Sequence, residues 1–289
     1  MTAAGETTGA ARGDAAPDGQ GGANGIRLVL IPLIIWAAWL IETFLLEGNR
    51  HLFSRADPGG LPGYTIIACI LTGTIVPVFI ILRSFLTGDV NMFQIGFRTP
   101  GRVLSACLGT LIAGYCAVIL LNPFGTDRIA FGSAFLLLLP TALASVMVCW
   151  VLTGTHVQAY VRQDGSRVSI PVGVVSTALI FGLSSLVHST MAGGPDTVSW
   201  SVAAGLGLAL FFFSIRDVYA TTIAAAGTGV FLNSRGIDPA YLGSPGPEVV
   251  FSAAFSLAVL AGIHWYLFRN YTTLAVPVAK PAATGESPR

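Results

Sequence analysis

Long apolar runs separated by short polar stretches dominate the pattern from residue 27 to residue 268. A bilayer core needs ~20 predominantly apolar residues per helix. On that measure eight membrane-spanning helices are predicted, over 27–46, 64–86, 103–122, 131–153, 169–189, 199–215, 217–234 and 248–268. The boundary between the sixth and seventh rests on Arg216 and Asp217 alone, in "LFFFSIRDVYATT", with no Gly or Pro; without a hairpin there the count is seven. Pro32, Pro77, Pro140 and Pro171 fall inside runs and each removes a backbone donor, which makes Pro140 the leading kink candidate. The seventh run, "DVYATTIAAAGTGVFLN", is crowded with small residues that let helices approach closely. It reads as a central helix. The loop "TGDVNMFQIGFRTPGR" carries an amphipathic patch (Met92, Phe93, Ile95, Phe97) expected to lie on the membrane surface.

The pattern implies an all-α, polytopic membrane helix bundle over residues 26–270. An Ala/Gly/Asp-rich tail (1–25) precedes it and a second flexible tail (271–289) follows it. Composition agrees: 10% of residues are charged, against ~25% in soluble domains. A net charge of +1 excludes nucleic acid as a partner and leaves the lipid bilayer. Arg12, Arg27, Arg83, Arg98, Arg102, Arg162, Arg167, Arg216, Arg269, Lys280 and Arg289 fall on one side of the predicted spans, and Arg50, Arg55, Arg128 and Arg235 on the other. That eleven-to-four bias places both termini in the cytoplasm of a multi-pass cell-membrane protein. The single lysine, Lys280, lies in a tail, which excludes an intramembrane Schiff base. Cys69, Cys107, Cys116 and Cys149 sit singly in apolar runs and read as small buried hydrophobes.

Ionisable groups inside spans are costly and mark function by default. "IFGLSSLVHSTMAGG" ends the fifth span on His188, either a ligand or base, or a solvated terminal residue. Glu42 is a candidate buried general acid or, with Glu47, a solvated group at the headgroups. Arg216 and Asp217 form either an anion-binding pair or an interfacial anchor beside a helix N-cap. Asp217, Thr221 and Thr228 share one helix face, a polar stripe equally explained by hydroxyls bonded to their own backbone. His156 ends the fourth span, His264 neighbours aromatic residues, and Asn233 closes the seventh span as a candidate contact or a C-cap. No HExxH, GxSxG or Walker motif is present, no two histidines have i, i+4 spacing, and no cofactor is implied.

The blocks "TALASVMVCWVLTGTHVQAYVR", "ALIFGLSSLVH" and "FFFSIRDVYATTIAAAGTGVFLN", with the "GFRTPGR" loop, resemble the CPBP family of intramembrane proteins (CAAX proteases and bacteriocin-processing, or Abi, proteins). The resemblance implies eight helices and a site built from EExxxR on the fourth span, FxxxH ending the fifth and HxxxN on the seventh. His188 and Asn233 match. Thr155 and His156 stand where the paired glutamates belong, Tyr160 replaces the arginine, Ser184 the phenylalanine and Gly229 the last histidine. Residues 131–163 contain neither Asp nor Glu, so an active metal-dependent peptidase is not expected.

Two readings follow. The first is a non-peptidase, membrane-embedded enzyme acting on a lipophilic small molecule by acid/base cyclisation or isomerisation. Glu42 or Asp217 would be its proton donor and His188 its base, within one polar cavity, while Arg216, Asn233 and His156 bind substrate. The second is a non-catalytic transporter, immunity or partner-binding protein.

Overall fold

A computed structural model of the chain describes residues 20–90, 92–121, 128–163, 168–188, 195–233 and 236–271. The predicted tails therefore fall outside the described residues except for 20–25 and Tyr271. So do Asp164, Arg167 and Arg235, and the side chains of Met92 and Phe93. Among the described residues every long element is helical: α1 (Gly25–Gly48), α2 (Leu61–Leu86), α3 (Pro100–Leu121), α4 (Arg128–Gln163), α5 (Ser169–Val187), α6 (Pro195–Ile215), α7 (Val218–Asn233) and α8 (Pro247–Tyr271). Six of these, all but α3 and α7, contain described stretches long and apolar enough to cross a membrane.

Helices consecutive in the chain run in opposite directions, as contacts at the two ends show. At one end, the start of α1 meets the end of α4 at Gly25 and Tyr160, and Phe85 of α2 meets Tyr271 of α8. At the other end, Gly48 of α1 touches Val187 of α5, and Ser133 of α4 bonds the Gly243 carbonyl before α8. The 36-residue α4 is the axis of the bundle, with 89% of its apolar window buried. At ~1.5 Å per residue it is ~54 Å long, well beyond a ~30 Å hydrocarbon core. Its last turns therefore extend past the predicted end at residue 153. Pro140 lies within it, and the helix continues past the proline.

Three segments wind with wide, π-type turns: Phe44–Gly48, Thr65–Ile75 and Val146–Gly154. Threonine hydroxyls follow the same spacing, Thr74 donating to the Cys69 carbonyl at 2.8 Å and Thr153 to that of Val148 at 2.7 Å. Such turns change which side chains face inward over a few residues.

The sixth and seventh helices are separate. The chain breaks at Arg216, which takes a left-handed conformation (φ 50°) that few non-glycine residues adopt. The 94–98 segment holds this break in place. Arg98 Nε donates to the Arg216 carbonyl at 2.9 Å, and Val218 N to the Gly96 carbonyl at 3.1 Å. Ile95 is buried and Phe97 packs on the core. This part of the loop therefore docks on protein, where the amphipathic pattern predicted membrane surface. Once the α6–α7 turn exposes backbone carbonyls inside the bundle, a neighbouring loop must satisfy them.

Candidate functional site

The partner of His188 is Glu47, 141 residues away in the chain. Glu47 closes α1, within the wide turn Phe44–Gly48, and its side chain is fully buried (0% exposed). Phe44 and Leu45, on the same turn, face outward. A residue read as solvated at the headgroups is thus turned into the protein. The physical reason is packing: Gly48 brings α1 onto the Val187 carbonyl, leaving the preceding side chain no outward path.

His188 follows a tight last turn, Ser185–Val187, and is itself extended (φ −87°, ψ 138°). Its Nδ1 lies 2.7 Å from Glu47 Oε2, with 13% of its own side chain exposed. An ionised carboxylate only accepts, so Nδ1 carries the proton. In the neutral imidazole Nε2 then presents its lone pair, and Glu47 stabilises the imidazolium that proton uptake would create. Among the described residues no hydrogen-bond partner engages Nε2.

His188 lines a cavity of about 60 Å³ shared with Asn233 and Gly229 of α7, Thr141 and Ser145 of α4, and Phe181 of α5. That volume suits a few waters or one small functional group. Several hydroxyls of the cavity are already committed. Ser184 donates to the Ile180 carbonyl and accepts from Trp36 Nε1 at 2.9 Å, Ser185 donates to the Gly182 carbonyl, and Thr141 pairs with Tyr64 at 3.0 Å. Asn233 Nδ2 donates to the Gly229 carbonyl at 2.8 Å. The arrangement supplies one oriented base and no positioned hydroxyl nucleophile.

The other predicted residues lie elsewhere. Asp217 caps the start of α7, accepting from Ala220 N at 2.8 Å, whereas Asn233 ends that helix. Sixteen helical residues, ~24 Å, separate Asp217 from Asn233, and eight, ~12 Å, from Ala225, the nearest α7 residue of the His188 cavity, so Asp217 does not line that cavity. Thr221 bonds the Asp217 carbonyl at 2.6 Å, the backbone alternative for the polar stripe. Arg216 is buried beside it: it donates to Gln158 Oε1 at 2.6 Å and to the Gln94 carbonyl at 2.9 Å, with its guanidinium 4.4 Å from the Phe213 ring. It locks helices together, and no open anion site surrounds it. His156 is also at this end, held by Ser84 at 2.8 Å and the Leu152 carbonyl at 2.7 Å. His264 bonds the Arg98 carbonyl at 2.9 Å and packs on Phe97 and Tyr219, so it supports the docked loop.

Glu42 is part-buried on α1, and its buried Oε2 has no hydrogen-bond partner among the described residues; it does not line the His188 cavity. Thr155 bonds backbone carbonyls of its own helix. Across from His188 and Asn233, α4 instead presents Thr141 and Ser145, three to four turns earlier than the resemblance placed its block. Among the described residues no three His, Cys, Asp or Glu side chains group as a metal-ligand set.

Outside the spans, two loops tie this end together over Phe53, another wall of the cavity. Asp238 N donates to the Phe53 carbonyl at 2.8 Å, and Asp238 Oδ2 accepts from Ala56 N at 3.1 Å. Backbone donors from Ala240 and Ala56 hold the Asp238 carboxyl below the usual range. Burial pushes the neighbouring Tyr241 hydroxyl up to about 12, and it accepts from Asp57 N at 3.1 Å.

Compared with known proteins, the chain matches no family model, no curated protein and no solved structure. Fold and composition define its class as an all-helical, integral membrane protein.

Proposed function

We propose that the protein is a multi-pass membrane enzyme on a CPBP-like scaffold that moves a proton within a lipophilic small molecule, in an isomerisation or cyclisation. The observation that carries this reading is the buried Glu47–His188 pair opening onto a cavity shared with Asn233. His188 Nε2 takes a proton from the substrate, Glu47 stabilises the resulting imidazolium, and the same proton returns at a neighbouring atom. No electrons are gained or lost. Asn233 lies where it can hold a polar substituent. The acid/base pair is thus His188 with Glu47, in place of Glu42 or Asp217.

The test is expression of the protein, Glu47→Gln and His188→Ala in one host, followed by mass spectrometry of the apolar extracts. We expect an isomeric product of unchanged mass with the parent and at least a 100-fold loss in either variant, the scale of general acid–base catalysis. Identical extracts from all three strains would favour the non-catalytic reading. Cleavage of prenylated or leader peptides that depends on His188 would restore the peptidase reading.

The same proposal has all eight helices crossing the bilayer with both termini cytoplasmic, supported by the arginine and lysine split and by the alternating helix directions. Reporter fusions at Arg289 and within the 190–198 loop should report opposite sides. A common side for both would overturn the topology.

A further inference from the structure

A cavity of about 920 Å³ is separate from the His188 site. It lies between α3, α4, α6 and α7. On α4 and α7 it takes Phe135 and Phe231, whereas the His188 cavity takes Leu138 and Asn233. The α4–α7 layer divides the two. Along α3 the groove runs from Ser105 to Ala117, ~18 Å, close to the length of one extended hydrocarbon chain across half a bilayer. Exposed Leu111 and Tyr115 at its rim leave it accessible from the outside of the bundle.

Two observations indicate an occupant. The lining includes Gly109, Gly114, Gly132 and Gly227, and a Cβ built on any of them meets nothing within 4 Å. Gly109, Gly114 and Gly132 are exposed, so the groove is open along this face to a molecule entering from the bilayer. Second, Arg128 is the one charged residue of the lining. It stands at the first turn of α4, is exposed, and has no hydrogen bond or ion pair among the described residues. An apolar slot whose described lining carries a single charge, the cation at its mouth, is complementary to a chain with an anionic head.

We propose that this groove binds an anionic phospholipid of the surrounding bilayer, one acyl chain lying along α3 and the phosphate meeting Arg128. The lipid completes the packing of α3, which otherwise leans chiefly on α7. This site is independent of the Glu47–His188 pair.

The experiment is native mass spectrometry of the full chain released from vesicles of equal phosphatidylglycerol and phosphatidylcholine. The parent should retain one phosphatidylglycerol preferentially. Arg128→Gln should lower that preference about fivefold, the scale of one cation near a membrane phosphate, while retaining lipid. The double variant Gly132→Leu and Gly227→Leu fills the groove from positions with open space and should retain none, with unchanged helical content. An unaltered lipid count in the filled variant, or an unaltered preference in Arg128→Gln, overturns the proposal. So does a parent that releases bare or carries a free fatty acid instead. Should the filled variant fail to fold, the Arg128→Gln comparison decides.

Discussion

His188→Ala is expected to destabilise the protein by about 3–5 kcal/mol, several times the ~1 kcal/mol expected for Glu47→Gln. The asymmetry follows from burial. Glu47 is 0% exposed, so removing the imidazole takes away a buried carboxylate's hydrogen-bond donor where water cannot readily replace it. In the converse variant the glutamine amide still accepts from Nδ1. The double variant removes both members of the pair, so its loss should be smaller than the sum of the two by about 1–3 kcal/mol. Reversible unfolding in mixed detergent and dodecyl sulfate measures all four proteins. Additive losses, or Glu47→Gln more damaging than His188→Ala, would show that the two side chains are not coupled and would remove the basis for Glu47 orienting the proposed base.

The second large effect is expected at Gly48. A methyl group there would lie 2.1 Å from the Val187 carbonyl oxygen and 3.2 Å from its carbon. Both are backbone atoms, so no rotamer change relieves the clash, and the ends of α1 and α5 must separate. Overpacking of this kind costs about 1–3 kcal/mol. Glu47 immediately precedes Gly48 and His188 immediately follows Val187, so the separation acts directly on their 2.7 Å contact. Gly48→Ala should therefore lose both stability and the proposed activity. In its background Glu47→Gln should add little further loss, because the contact is already broken. A Gly48→Ala protein as stable as the parent, with the full Glu47→Gln effect retained, would disconnect this close approach from the site.

Helix positions were legible in the chain because a span is a local property. The apolar runs placed the long helices of the described residues, six of them long and apolar enough to cross a membrane, and the largest discrepancy was α4, which runs ten residues past its predicted end at 153. The break at Arg216 and Asp217 was only partly legible: the adjacent charges marked it, but with no Gly or Pro beside them a seven-helix count stayed open. The central place of α7 followed from its small residues, and the structure packs it against α3, α4 and α6. The separation of Asp217 from His188 was in the sequence as well. Asp217 opens the helix that Asn233 closes, so only one of the two ends can adjoin His188.

Three features were decided by tertiary structure. Glu47 follows Glu42 by five residues, and no periodicity distinguishes a buried carboxylate from a solvated one at a span terminus; the wide turn at Phe44–Gly48 and the approach of Gly48 to Val187 bury it. The 94–98 loop has the composition of a surface patch, yet it docks because the turn at Arg216 leaves carbonyls that Arg98 must satisfy. The groove beside α3 arises where α3 leans on α7 and glycines on three helices face one space. Hydrophobicity and helical period act within about twenty residues and so determine where this chain forms its apolar helices. The pairing of Glu47 with His188 spans 141 residues, and only the packed helices bring the two together.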